Sequence, residues 1–287
     1  MTTSALPRRI LRFAAVAGLL VACQQEPDED QAEPPRQGDG GAQQVTGRQR
    51  FAEINAALDT AITLAEQIKE DVRNGRGVDT AKTNRIKDLI AIARDRKYRA
   101  MATFPNIWGM RFGVVYVLLS DLDDVLNAIY DDAFRYRLNP DSTRKAALLR
   151  RVRVAKAQKE ELERRLRAAD QNHPGLPALG ILNTSLNILI RRIETDRIDH
   201  GDFNDVLWDM HMAKRGAVRR GASVYGLSIE TWYVFLREMD RLFENGVAFA
   251  DMAASGLYDA QEMLDHLLAV LRNAKETKEL LEPRLPQ

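Results

Sequence analysis

Four histidines, His173, His200, His211 and His266, are the first places to look for metal chemistry. His173 and His200 fall in turn-like stretches. Asp209 and His211 stand two apart on a helical stretch and face different ways, whereas Glu262 and His266 stand four apart and share a face. A di-iron bundle takes Glu-x-x-His from each of two helices plus two further glutamates, and a zinc peptidase takes His-Glu-x-x-His. Neither spacing occurs. A Gly-x-Ser-x-Gly elbow, a Gly-rich phosphate loop and a dinucleotide fingerprint are missing too. Asp121, Asp123 and Asp124, then Asp131 and Asp132, offer paired carboxylates, and Asp121 and Asp124 share a helix face. A glycosidase uses such a pair, but like-charged carboxylates so spaced are ordinarily a solvated face. The expectation is a protein that is not an enzyme and takes no cofactor or metal.

Two basic clusters close helical stretches: Arg94, Arg96, Lys97 and Arg99, then Lys214, Arg215, Arg219 and Arg220. The helix macrodipole favours cations at such ends. The functional alternative is an anion-binding surface for lipid phosphates or cell-wall carboxylates. Lys159 and Lys278 fall in step with apolar stripes (Val152, Ala155, Leu162; Leu271, Ala274, Leu281). The reading for both is a packed stem whose ammonium group reaches the bundle's end. Phe104, Trp108, Phe112 and Tyr116 gather around the start of one helix, and Tyr225, Trp232, Tyr233 and Phe235 at the start of another. They read as core, with a sharper alternative: Gly109 and Gly226 let helices approach closely beside an aromatic-lined cavity.

Cys23 is the single cysteine, so no intramolecular disulfide can form. It ends a leader with a basic head (Arg8, Arg9, Arg12) and a short apolar run, Phe13 to Ala22. That run is well below the roughly 20 residues a membrane span needs. This is the layout of a secretory signal. Its last four residues, Leu20-Val21-Ala22-Cys23, resemble the lipobox of bacterial lipoproteins. The resemblance implies cleavage before Cys23 by signal peptidase II and acyl chains, palmitate among them, on the cysteine. Gln24 follows, rather than the aspartate that retains many such proteins in the inner membrane, so the resemblance implies the outer membrane. Several acyl chains anchor firmly where a single one would not.

Gln24 to Gly47 holds six acids against one arginine and almost nothing large and apolar. A segment of that composition is expected to stay disordered and to act as a spacer. Removing Met1–Ala22 takes three arginines from the formal +1, leaving about −2. The region beyond the spacer is near +3, far short of the basic excess of a nucleic-acid binder.

From Arg48 the apolar period is helical: Phe51, Ile54, Leu58, Ala61, Ile62, Ala65, Ile68 and Val72 fall on one face. Seven more helices are expected, at Thr80–Thr103, Trp108–Ala133, Ser142 to about Asp170, Leu176–Ile198, Asp202–Arg220, Gly226–Phe249 and Tyr258–Leu281, with no segment of strand period. The pattern is written twice. Leu148, Leu149, Arg153, Ala155, Lys156, Lys159, Glu160, Leu162 and Glu163 match Leu267, Leu268, Arg272, Ala274, Lys275, Lys278, Glu279, Leu281 and Glu282. At a nearly equal offset Asp88, Lys97, Ala100, Gly109, Tyr116, Val117, Leu119 and Asp123 match Asp205, Lys214, Ala217, Gly226, Tyr233, Val234, Leu236 and Asp240. The expected chain is all-α: signal peptide 1–22, lipidated cysteine and acidic tether 23–47, and two tandem four-helix units, 48–170 and 171–287. Whether the units form separate bundles or one fused core is open at this point. The layout resembles imelysin-like iron-uptake lipoproteins, but their Gly-x-His-x-x-Glu motif is missing, so no site carries over.

These readings converge on a lipid-anchored protein of the bacterial envelope whose helical domain binds or positions an envelope protein or an anionic envelope component. A carrier or sensor of a small apolar or anionic ligand, held between helices, is the alternative, followed by an enzyme without a recognisable motif.

Overall fold

The structure, a computed structural model, describes residues 46–219 and 223–286; the side chains of His200, His211 and residues 214–219 are outside that description. The lipobox, Cys23 and the acidic tether up to residue 45 lie outside the described residues, as do the side chains of Lys214, Arg215 and Arg219 and the whole of Arg220. Eight α-helices carry the described part: α1 Gly47–Arg73, α2 Thr80–Met101, α3 Phe112–Leu138, α4 Ser142–Ala169, α5 Leu176–Glu194, α6 His200–Arg219, α7 Ile229–Ala254 and α8 Ala260–Leu281. The chain is all-α, as its periodicity predicts. The strands β1 Ser223–Val224 and β2 Leu227–Ser228 are two residues each, too short for an alternation to register.

Local chemistry sets the ends. Thr46 and Gln49 form a capping box at the start of α1, so the helix takes in Gly47, which composition had assigned to the tether. Asp79, Asp141 and Asp259 accept backbone N–H groups at the starts of α2, α4 and α8. Helices α3 and α7 begin later than the apolar pattern implies. Trp108-Gly109 and Tyr225-Gly226 all have φ between 50° and 78°, and they form tight hairpin turns closed by Ile107 with Met110 and by Val224 with Leu227. A turn with both central residues at positive φ matches strand twist and favours glycine in second place. Gly109 and Gly226 are therefore turn residues and bring no helices together. The close approach is at Gly246 on α7, where an added Cβ would stand 3.0 Å from Ile90 Cδ1 of α2.

The helices pack as two four-helix bundles in an exchanged arrangement. Helices α1 and α2 pack with α7 and α8; α3 and α4 pack with α5 and α6. Each sequence repeat thus contributes one hairpin to each bundle, which answers the question of separate or fused units. The duplication is written in the backbone as well. The end of α1, where Arg76 N–H bonds Asp71 O, returns at the end of α5, where Arg197 N–H bonds Arg192 O. The hairpin turn, the Asp79/Asp199 and Asp141/Asp259 caps, and the Lys159–Glu163 and Lys278–Glu282 pairs each occur twice. The Asp caps preceding α2 and α6 are three residues further apart in number than the hairpin turns that follow. The repeats therefore differ in length between those two features. Of the stripe expected on α1, Phe51, Ile54, Leu58, Ala61, Ala65 and Ile68 are fully buried while Ile62 and Val72 are half-buried; on α5, Leu179, Leu182, Leu186, Leu189 and Ile193 are fully buried.

Candidate functional site

Where α2, α3 and α7 meet, polar groups are taken out of water and paired. Lys97 on α2 is fully buried and bonds Asp240 on α7, itself 4% exposed. Periodicity puts Lys97 in phase with Ile86, Ile90 and Ala93, so its carbon stem packs with them and its ammonium group must find a partner inside. Asp240 supplies it. Tyr116 of α3 donates its hydroxyl to Asp240, and Tyr98 adds a longer bond of 3.4 Å. Lys97 Nζ also lies 3.3 Å from the Tyr116 hydroxyl and 3.5 Å from the Leu236 carbonyl. It sits over the rings of Tyr98 and Tyr116, 4.4 and 4.6 Å from their centroids, which is a cation–π geometry.

The other half of the knot is the same bond written in reverse. Tyr233 of α7 donates to Asp123 of α3 and lies 3.3 Å from the Leu119 carbonyl. Tyr116 and Tyr233 are counterparts in the duplication, as are Asp123 and Asp240, and the two tyrosine rings face each other at 5.8 Å. Each bundle therefore sends a tyrosine to the other's aspartate. On the rim, Arg237 pairs with Asp124, and Arg94 stands 3.8 Å from Glu244.

Burial reshapes the acid–base behaviour. It pushes Lys97 down to about 8, against the pull of the Asp240 carboxylate. Burial raises the hydroxyls of Tyr116 and Tyr233, and the carboxylate each one faces raises it further. Asp121 is raised by burial and by the neighbouring Asp124, and Glu244 by burial against the pull of Arg94. Chemically the cluster is one buried ion pair, Lys97 with Asp240, flanked by tyrosine hydroxyls donated to both aspartates, and the second oxygen of Asp240, Oδ1, is buried without a hydrogen-bond partner.

The first basic cluster is not one surface. Lys97 points into the knot, Arg96 bonds Glu53 at 2.6 Å, Arg99 bonds Asp95 at 2.8 Å, and Arg94 faces Glu244. These side chains already have carboxylate partners, so an anion from solvent would compete with them. Lys159 and Lys278 were expected to reach the bundle's end. They are instead buried, at 1% and 0% exposure, and bond Glu163 and Glu282 one turn further on. Asp123, read as solvated, is 8% exposed because Tyr233 covers it.

His173, in the turn before α5, is buried. Its Nδ1 accepts the Gly175 N–H at 3.1 Å, the Trp108 ring packs edge-on at 4.6 Å, and burial lowers its pKa. Glu262 and His266 do share a face, 3.8 Å apart, and His266 stacks on Phe249. Among the described residues no group of three or more His, Cys, Asp or Glu is placed to hold a metal ion. The aromatics around the starts of α3 and α7 are core: Phe104 packs against Phe112, Tyr225 and Trp232, and Trp232 Nε1 donates to the Val224 carbonyl at 2.7 Å.

The signal that could have found the knot was the pair of Tyr-x6-Asp segments at matching places in the repeat (Tyr116–Asp123 and Tyr233–Asp240). Two turns of helix put the carboxylate on the tyrosine's own face, and their recurrence at the dyad leads to reciprocal bonds. Compared with family models, curated proteins and solved structures, the chain finds no match.

Proposed function

We propose that the protein is a lipid-anchored component of the bacterial envelope, held by acyl chains on Cys23, whose helical domain binds or positions an envelope partner without catalysing a reaction. One observation carries the reading: Leu20-Val21-Ala22-Cys23 closes a short apolar run beneath a basic head, and its cysteine is the single one in the chain. A thiol at that place serves as an attachment point. Outer-membrane placement rests on Gln24. The domain's part in the reading is supported by its polar interior, where Lys97, Tyr116, Tyr233, Asp123 and Asp240 are occupied in joining the bundles. Among the described residues no helix is long and apolar enough to cross a membrane, and a lipid on Cys23 supplies the attachment in this reading.

The test is metabolic labelling of host cells with an alkyne fatty acid. The expected result is label on the mature chain, lost in Cys23→Ala, with accumulation of the uncleaved form when signal peptidase II is inhibited. A mature chain without label that enters the aqueous phase of a detergent split overturns the reading. Crosslinking in intact envelopes then identifies what the domain holds.

A further inference from the structure

The α5–α6 hairpin carries an outward apolar face that its counterpart, α1–α2, does not. Ser185 of α5 bonds Asp209 of α6, and Arg192 of α5 bonds Asp202. Those two bonds fix the antiparallel register. Ile181 and Ile188 flank Ser185 on the outer side of the seam, at one turn before and after; Trp208 and Met212 flank Asp209. All four are open to solvent: Trp208 65%, Ile181 58%, Ile188 48% and Met212 42%. The cap and helix-end correspondences put Thr60, Gln67, Asp88 and Ile92 at the matching places on α1–α2, which replaces the Asp88–Asp205 match read from the sequence with a register three residues further on. Three of the four are polar there. The same hairpin fold is thus stable with a wetted outer face, and packing within the bundle does not require the apolar one.

We infer that the α5–α6 face docks on the surface of a phospholipid bilayer, with Trp208 at its centre. The inference rests on the proposed acyl anchor at Cys23 and deepens it. Three observations choose lipid over other occupants. The spacer 24–45 ends at Thr46, the cap of α1. Even fully extended, those 22 residues reach no more than ~75 Å, so an acyl anchor at Cys23 keeps the domain beside the bilayer. The bilayer is therefore the apolar phase present at highest local concentration. The exposed area of the four side chains is on the order of 400 Å², about half the ~800 Å² per partner of a standard protein interface. That is small for a stable dimer and ample for an interfacial contact. The residue types also fit, since tryptophan prefers the headgroup level, where its ring is in hydrocarbon and its N–H is wet. Asp205 and Asp209 stand on α6 beside Trp208 in the sequence, so the lipid proposed is zwitterionic rather than anionic.

The experiment uses the full mature chain and phosphatidylcholine vesicles whose acyl chains are brominated close to the headgroup. Bromine quenches tryptophan only at contact range; Trp232 is fully buried, and Trp108, half-buried against His173, is replaced by Phe in every chain tested so that Trp208 is the reporter. The expected result is quenching that disappears in Trp208→Phe. A lipidated chain that floats with the vesicles but shows no Trp208-dependent quenching overturns docking and leaves the anchor standing. The non-lipidated Cys23→Ala chain, at millimolar lipid, separates the two ideas in the other direction: Trp208-dependent quenching there supports docking whether or not the natural chain carries acyl groups. Adding Ile188→Asn and Met212→Asn to that chain is expected to lower its vesicle partitioning about tenfold. Unchanged partitioning overturns the inference, as does a dimer in sedimentation velocity that Trp208→Glu dissolves, since the face would then belong to a second copy.

Discussion

A lysine with no exposed surface costs stability unless its charge is met, and Asp240 is what meets the charge of Lys97. Removing one partner should be far worse than removing both. Asp240→Ala leaves a buried cation alone and is expected to destabilise by about 3–5 kcal/mol; Lys97→Met with Asp240→Leu should recover more than half of that, as read by urea unfolding. The pair also makes a pH prediction. Lys97 is lowered from 10.5 to about 8 in the folded chain. Between those values the unfolded chain holds a proton that the folded chain has released, so stability rises with pH there. Above ~10 the sign reverses, because unfolded tyrosines ionise near that value, whereas folded Tyr98, Tyr116 and Tyr233 are all raised. From pH 8 to pH 10 the natural chain should therefore gain roughly 1–2 kcal/mol relative to Lys97→Met. Parallel unfolding curves for the two chains across that range would show that Lys97 does not titrate inside. None of this was legible residue by residue. Lys97 reads as one more cation at a helix end, and only the register of α2 against α7 turns it inward.

At the scale of the helix, the sequence was legible where the signal is local. Apolar periodicity locates all eight helices, and the turn residues locate their ends to within a few positions. It fails where the deciding contact is distant or the special backbone is short. Trp108-Gly109 and Tyr225-Gly226 look like helix starts because apolar residues continue through them, yet positive φ at both positions breaks the helix and delays α3 to Phe112 and α7 to Ile229. The duplication was legible as repeated residues; the structure adds repeated caps. Those caps are testable as a matched pair. Asp141 accepts the Arg144 N–H at 2.8 Å and Asp259 the Glu262 N–H at 2.9 Å. Each replaced by Ala should cost about 1 kcal/mol. The caps sit in different bundles, well apart and with no shared partner, so the double variant should lose the sum. Thermal unfolding of the three variants measures this, and a single cap that accounts for the whole loss would mean the other aspartate is idle.

For the whole molecule, the exchanged hairpins change what a repeat is. Residues 48–170 carry α1 to α4, yet α1–α2 bury their faces against α7–α8, and α3–α4 bury theirs against α5–α6. Half of each bundle's core is therefore supplied by the other repeat, and the reciprocal Tyr116–Asp240 and Tyr233–Asp123 bonds cross the same boundary. Periodicity could not reveal this, because an amphipathic helix states that a face is buried and not which helix covers it. The consequence concerns a cut in the connector between α4 and α5. A protease site placed after Gln171, in the exposed stretch before His173, severs the repeats without touching a buried contact. Independent tandem bundles would drift apart after cutting. Exchanged bundles should stay together as one 1:1 particle by size exclusion with light scattering, and should part only in denaturant. Each separated half would then expose two hairpin faces. It should fail to fold alone or pair with a second copy of itself, α1–α2 of one copy against α3–α4 of the next, because the duplication makes those faces approximate substitutes for the missing ones. Stable monomeric halves with native helicity would show that a single repeat can close its own core, and the exchange would then be a contact between finished domains.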